Sequence, residues 1–70
     1  MSVKTADDHK HAAEHHALAA RYHEEAAKLY VAGNHEKAAH HAQVAYAHSL
    51  QAMDHAEHAA KEHAEAHASK

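Results

Sequence analysis

The sequence predicts an all-α protein, an antiparallel helical hairpin, and three observations support this. The 70 residues are rich in alanine, the strongest helix former, and include no proline. A single glycine, Gly33, lies near the middle of the chain and is followed by Asn34. Apolar residues recur at helical spacing on both sides of these two residues. Two helices joined by one tight turn explain all three observations.

The first helix is expected over about residues 6–32, after a short N-terminal tail over residues 1–5. Thr5 followed three residues later by Asp8 forms a capping box, which marks the start of a helix. Asp7 and Asp8 also place negative charge at the positive end of the helix dipole. No helix-breaking residue follows before Gly33.

Gly33 and Asn34 form the predicted turn, over residues 33–34. Glycine is favoured just beyond the C-terminus of a helix, and asparagine is a good N-cap for the helix that follows. Glu36 then lies in the first turn of the second helix, which is expected over about residues 35–68. Residues 6–70 therefore form a single hairpin domain.

The composition limits how such a small domain can be stabilised. Most of its apolar residues are alanine, which buries little area, and domains of this size are marginal as monomers. The chain has no cysteine, so a disulfide is excluded and either a bound metal or a second chain remains. We therefore expect a homodimer in which two hairpins form a four-helix bundle.

Charge and hydropathy exclude several classes of partner and activity. The net charge is -3 with histidine neutral, and no cluster of Lys and Arg predicts nucleic-acid binding. No apolar run approaches the roughly 20 residues that span a bilayer. The N-terminus has no apolar signal segment, so a cytoplasmic location is expected. No nucleophile is paired with a base and no glycine-rich loop is present, so we expect no enzymatic activity.

Histidine is the exceptional component, with 13 residues between His9 and His67 and no run longer than two. Its side chain titrates near physiological pH and is the commonest metal ligand. A helical wheel places all five histidines of the first helix on or beside its apolar face. On the second helix, Leu50, Tyr46 and Met53 mark the predicted apolar face. His40 and His58 share the side of the acidic residues and are predicted to be surface residues.

Two ladders of histidine at seven-residue spacing are visible. One ladder is His9, His16 and His23, and the other is His41, His48 and His55. In an antiparallel hairpin, 9 and 55, 16 and 48, and 23 and 41 would lie at matching heights, with rungs roughly 10.5 Å apart. The wheel puts the first ladder near its apolar centre and the second well away from its own. The ladders thus either meet within one hairpin, meet a second hairpin, or occupy boundary positions bonded to Glu or water.

Two histidine pairs at i,i+4 spacing, His11 with His15 and His63 with His67, each place two imidazoles on one helical face. A zinc site needs about four ligands, so each pair would be half a site. The predicted metal ligands are His11, His15, His63 and His67, followed by the ladder residues His9, His16, His23, His41, His48 and His55.

Imidazole suits zinc or nickel, and also cobalt or Cu(II), whereas Cu(I) prefers the sulfur ligands that this chain lacks. The predicted function is therefore metal binding by a histidine-rich helical protein, for buffering, storage or sensing. The alternative is a structural or interaction module that self-associates into a four-helix bundle, with pH-sensitive histidines at its interface.

Two resemblances accompany these inferences. Residues Gly33–Ala38 resemble the turn between the paired helices of a tetratricopeptide repeat, which implies a tight helix-turn-helix. The whole chain resembles a group of short alanine- and histidine-rich helical proteins predicted in bacteria, through steps such as Ala13–Ala17 and the segment Ala32–Ala42. That group has no established activity, so the resemblance implies only the hairpin.

Overall fold

The computed structural model describes residues 3–67, and these form two long helices with no strand among them. Helix α1 spans Val3–Val31 and helix α2 spans His35–Ala66. The helices pack against each other along their length, in a molecule that measures 56 × 16 × 12 Å. The predicted helical hairpin is confirmed.

The turn has the geometry that its residues predict. Gly33 has a φ of +86°, in the left-handed region that glycine adopts without steric cost. The Asn34 N–H bonds to the Leu29 carbonyl at 2.9 Å, and the Gly33 N–H bonds to the Tyr30 carbonyl at 3.0 Å. This pair of bonds is a Schellman motif, which satisfies the last carbonyls of α1. Asn34 then caps α2, since its side chain accepts from the Lys37 N–H at 3.4 Å.

The N-terminus of α1 differs from the prediction. The helix begins at Val3 and not near residue 6, so Thr5 lies inside it and the predicted capping box is wrong. Thr5 is buried, and its hydroxyl donates to the carboxylate of Glu62 on α2. The side chains of Thr5 and Asp8 each bond to a residue of α2. The predicted end of α2, near residue 68, lies outside the described residues.

The interface between the helices, which we call the seam, is built on alanine at every seventh position. Ala45 and Ala52 are 0% exposed. The buried residues of this series are Thr5, Ala12, Ala19 and Ala26 on α1, and Ala38, Ala45, Ala52 and Ala59 on α2. Because helix separation depends on the side chains at the contact, alanine lets the two helices approach closely. A strict seven-residue repeat is the pattern that keeps two helices in contact along their length.

The apolar face predicted for α2 is wrong. Tyr46, Leu50 and Met53 are exposed, while the smaller alanines form the seam. A wheel weighted by hydrophobicity selects large apolar residues, whereas the most buried apolar positions of the seam hold alanine. On α1, Ala12, Ala19 and Ala26 are buried in the seam, whereas Tyr30 is exposed.

Candidate functional site

A second series of residues in the seam lies three positions after the alanines and is polar or aromatic. Asp8 faces His55, His15 faces His48, and Tyr22 faces His41. Each step of seven residues along α1 is matched by seven residues back along α2, so the rungs recur roughly every 10.5 Å. Asp8 is 8% exposed, and the other five side chains are half-buried.

The structure buries one of the two predicted ladders in part and leaves the other exposed. The ladder His41, His48 and His55, which the wheel placed away from the interface, lies in the seam. The ladder His9, His16 and His23 is exposed, and so is His11, so four of the five α1 histidines leave the predicted apolar face. The three α2 histidines of the predicted rungs do face α1. The α1 residue opposite each of them is one position earlier than predicted. A shift of one residue turns a helical side chain by about 100°, which is enough to leave the seam.

The rings of the seam form one continuous column, in which α1 and α2 contribute alternately. His11 contacts His55, and His55 stacks on His15, with centroids 5.1 and 5.9 Å apart. His15 stacks on His48 at 5.2 Å. Tyr22 contacts His48 at 5.6 Å and His41 at 5.8 Å. We call these six residues the ring column: His11, His55, His15, His48, Tyr22 and His41.

The centre of the ring column is a direct bond between two imidazoles. The Nδ1 atoms of His15 and His48 lie 2.9 Å apart. A nitrogen pair at this distance needs one N–H donor and one lone-pair acceptor, so the two rings must hold different tautomers. The bond therefore contains a single proton.

His55 is oriented by a buried carboxylate. Its Nδ1 donates to Asp8 Oδ1 at 3.0 Å, since an ionised carboxylate can only accept. This hydrogen bond lowers the pKa of Asp8 below its ordinary value of 3.8; burial opposes the shift, and His58, His55 and Lys4 reinforce it through their charge. The other oxygen, Asp8 Oδ2, is buried and accepts no hydrogen bond within residues 3–67.

The hydrogen bonds of two column histidines also fix which ring nitrogen has a free lone pair. Because the Nδ1–H of His55 is donated to Asp8 in a hydrogen bond, the neutral ring has its free lone pair on Nε2. His41 does the same, because its Nδ1 donates to the Lys37 carbonyl at 3.0 Å. A ligand histidine in a metal site commonly donates its other ring nitrogen to a carboxylate or a backbone carbonyl in this way.

The remaining predicted ligands lie elsewhere. His63 and His67 contact each other at 4.5 Å beside an open groove at the end of the hairpin, which Thr5 and His9 also line. His11 and His15 instead belong to the ring column. The two predicted half-sites therefore lie in different parts of the hairpin. Within residues 3–67, no three or more His, Asp or Glu side chains are arranged as a ready metal site.

Comparisons with known proteins give no further indication of function, so the proposals below are argued from this geometry. No family model, curated protein or solved structure matches this chain. Neither described helix is long and apolar enough to cross a membrane.

Sequence reasoning missed two members of the site, Asp8 and Tyr22. Both follow a seam residue by three positions, Thr5 and Ala19 respectively. The signal was present in the sequence, because alanine repeats every seven residues on each side of Gly33. The position three after each repeat then marks the residues that face the partner helix.

Proposed function

We propose that the hairpin binds a transition-metal ion in the ring column, in a buffering, storage or sensing role. The observation that carries this is the 2.9 Å approach of His15 Nδ1 and His48 Nδ1, which come from different helices. Two imidazole nitrogens on one tetrahedral zinc ion, each at about 2.0–2.1 Å, are roughly 3.3 Å apart. An ion could therefore bind between the two nitrogens after a small separation of the rings, with the shared proton moving to Nε2 of the ring that carried it. The ion would then link α1 to α2.

His55 and His11 are the nearest additional donors. The His55 ring lies 5.9 Å from the His15 ring, and the His11 ring lies 5.1 Å from His55. The carboxylate of Asp8 holds His55 with its Nε2 lone pair free, and such an outer partner raises the basicity of a ligand imidazole. Rotation of His55 or His11 would add a third imidazole to the site that the His15–His48 pair begins.

Imidazole donors favour zinc or nickel, with cobalt and Cu(II) also acceptable. A neutral imidazole can bind the ion, whereas a protonated one has no free lone pair, so the affinity should fall as the pH falls. Binding would also stabilise the folded hairpin, because the unfolded chain does not hold the two nitrogens together.

The test is calorimetric titration with zinc and nickel of the unaltered chain and of two adjacent variants. His15→Gln removes a ring of the pair, and His16→Gln removes the exposed neighbour as a matched control. The unaltered chain is expected to bind one ion with a Kd below about 1 μM. Changes to an outer partner alone cost roughly 10–100-fold, so loss of His15 should weaken binding by at least about tenfold. His16→Gln should leave the affinity nearly unchanged.

A second measurement guards against misfolding of the variant. Nickel or cobalt added to the unaltered chain should broaden the ring proton signals of His15 and His48 before those of His16 and His40. Loose, non-saturating uptake would reject metal binding as the function. Equal losses in His15→Gln and His16→Gln, or simultaneous broadening of all rings, would reject the His15–His48 site.

We propose self-association as the second candidate function, with two hairpins pairing into a four-helix bundle. It is favoured by a different observation from the one that favours metal binding. Tyr30, Tyr46 and Met53 are 62%, 63% and 60% exposed, although a hairpin this small gains most by burying its large apolar residues. Sedimentation equilibrium of the unaltered chain tests this candidate; a single species of one chain mass would reject it.

A further inference from the structure

One broad face of the hairpin carries no formal charge. Its α1 positions are 6 and 9 and every seventh residue after each, up to Tyr30. Its α2 positions are 39 and 42 and every seventh residue after each, up to His63. None of these positions holds Asp, Glu, Lys or Arg. Apart from Asp8 and Glu62 in the seam, the charged residues within 3–67 all occupy other positions. We call this surface the uncharged face.

The α1 and α2 parts of the uncharged face lie on the same side of the molecule. Each part follows the seam positions of its own helix by one residue, and in an antiparallel pair such positions fall on a common side. The groove at the open end shows this directly, because His9 of α1 lines it together with Ala56, Ala60 and His63 of α2.

The α1 part repeats the pattern by which α2 enters the seam. On α2, three of the four buried alanines of the seam, Ala38, Ala45 and Ala52, are followed after three residues by His41, His48 and His55. On α1, exposed alanines at 6, 13 and 20 are followed in the same way by the exposed ladder His9, His16 and His23. This second alanine-histidine stripe lies about 100° around α1 from the seam. A helix at the corner of a four-helix bundle contacts its two neighbours at about this angle.

The size and composition of the uncharged face match those of a stable interface. The hairpin measures 56 × 16 Å along its broad face. Such a face offers on the order of 900 Å², close to the roughly 800 Å² that each partner buries in a standard interface. Tyr30, Tyr46 and Met53, all more than half exposed, lie on it. Aromatic residues and methionine are enriched in interfaces, and charged residues are depleted at their centres.

We infer that a second copy of this chain docks on the uncharged face through the same face of its own. This deepens the proposed self-association, on which it rests, and it is independent of metal binding. A second copy offers the same uncharged surface and continues the alanine-histidine pattern of the seam. A charged partner would leave its charges buried without a counter-ion, which is costly. The exposed ladder His9, His16 and His23 then becomes part of the interface.

The test compares two alanine-to-glutamate variants of α1 by sedimentation equilibrium. Ala20 belongs to the uncharged face, while Ala17 is exposed on the charged side of the same helix. The unaltered chain is expected to have twice the chain mass. Ala20→Glu should raise the dimer dissociation constant more than about tenfold, since it buries an unpaired carboxylate. Ala17→Glu should change it by less than about threefold, as surface substitutions usually do.

A second measurement is designed so that a folding defect cannot imitate the result. Ala20→Cys and Ala17→Cys are each labelled with iodoacetamide at rising protein concentration. Protection of Cys at position 20, but not at position 17, is expected as the dimer forms. A dimer in which position 20 stays as reactive as position 17, or in which Ala20→Glu associates as tightly as Ala17→Glu, overturns the face and leaves self-association standing. A monomeric unaltered chain with intact helicity overturns both.

Discussion

The Nδ1 atoms of His15 and His48 lie 2.9 Å apart, and one proton between them joins α1 to α2. A second proton would place two N–H groups against each other and make both rings cationic. Unit charges separated by the 5.2 Å of these ring centroids repel by roughly 1 to 3 kcal/mol, depending on the local dielectric. His55 stacks on His15 and Tyr22 stacks on His48, from the neighbouring rungs. The protonation of this pair is thereby coupled to the closure of the seam.

A double-mutant cycle with His15→Ala and His48→Ala should therefore show a coupling that depends on pH. Free imidazole titrates near pH 6.5, so the cycle is measured at about pH 8 and at about pH 5, on either side of that value. At the higher pH we expect a favourable coupling of about 0.5–1.5 kcal/mol, the contribution of one hydrogen bond. At the lower pH the coupling should vanish or become unfavourable. Urea unfolding of the four proteins at both pH values measures it.

The control cycle replaces His15 with its exposed neighbour. His16→Ala combined with His48→Ala should show no coupling at either pH, because His16 lies outside the seam. A His15–His48 coupling that stays constant between the two pH values would contradict the single shared proton.

The carboxyl of Asp8 should titrate below its ordinary pKa of 3.8 because it accepts the Nδ1 proton of His55. His55→Phe keeps a ring in the column but removes that donor, so the Asp8 pKa should rise towards or above 3.8. Carbon-detected NMR of the side-chain carboxyl follows both titrations. Asp7→Asn, at the exposed adjacent position, is the matched control and should leave the Asp8 titration unchanged.

The same shift fixes the sign of a pH effect on stability. A carboxyl whose pKa is lowered by folding stabilises the fold above its unfolded value, and this contribution is lost as the pH falls through the folded value. The difference in unfolding free energy between the unaltered chain and Asp8→Asn should therefore be constant above pH 3.8 and shrink below it. A difference that grows on acidification would contradict the assignment of His55 as donor.

The seam should reject any residue larger than alanine at its fully buried positions. Ala45 is 0% exposed and Ala47, on the same helix, is exposed. Ala45→Leu must force the helices apart and should cost about 1–3 kcal/mol of unfolding free energy, typical of overpacking. Ala47→Leu should change it by less than about 0.5 kcal/mol. Thermal and urea unfolding compare the two; equal stability of the variants would mean that the helices are not in close contact at Ala45.

The turn depends on the left-handed conformation of Gly33 and not on space around it. A Cβ added there would meet no atom within 4 Å, so only the backbone conformation opposes substitution. Gly33→Ala should destabilise the hairpin by roughly 1–2 kcal/mol. Gly33→Asn should cost less, since asparagine tolerates this region. An alanine variant as stable as the asparagine variant would show that the positive φ is not maintained in solution.

The extent to which the site was predictable differs between the two helices. The heights of His41, His48 and His55 followed from their spacing, and α2 does present them to α1. Their partners did not follow, because the stripe of alanine and histidine on α1 lies only one residue away from the positions that enter the seam. The apolar face of α2 was predicted wrongly because hydrophobicity identified Leu50, Tyr46 and Met53, whereas the most buried positions of α2 hold alanine, which is small.

The sequence by itself determined the two helices and the turn between them, since alanine propensity, Gly33 and Asn34 act within a few residues of each other. Only the tertiary structure decided which stripe of α1 meets α2. The chosen stripe brings Tyr22 and Leu29 into the seam and gives Asp8 and Thr5 partners in His55 and Glu62. The other stripe, with His16 at its centre, is left exposed on the uncharged face. Which of the two surfaces meets α2 depends on contacts between residues more than 40 positions apart, such as Asp8 and His55. Patterns within a few residues of sequence do not predict such contacts.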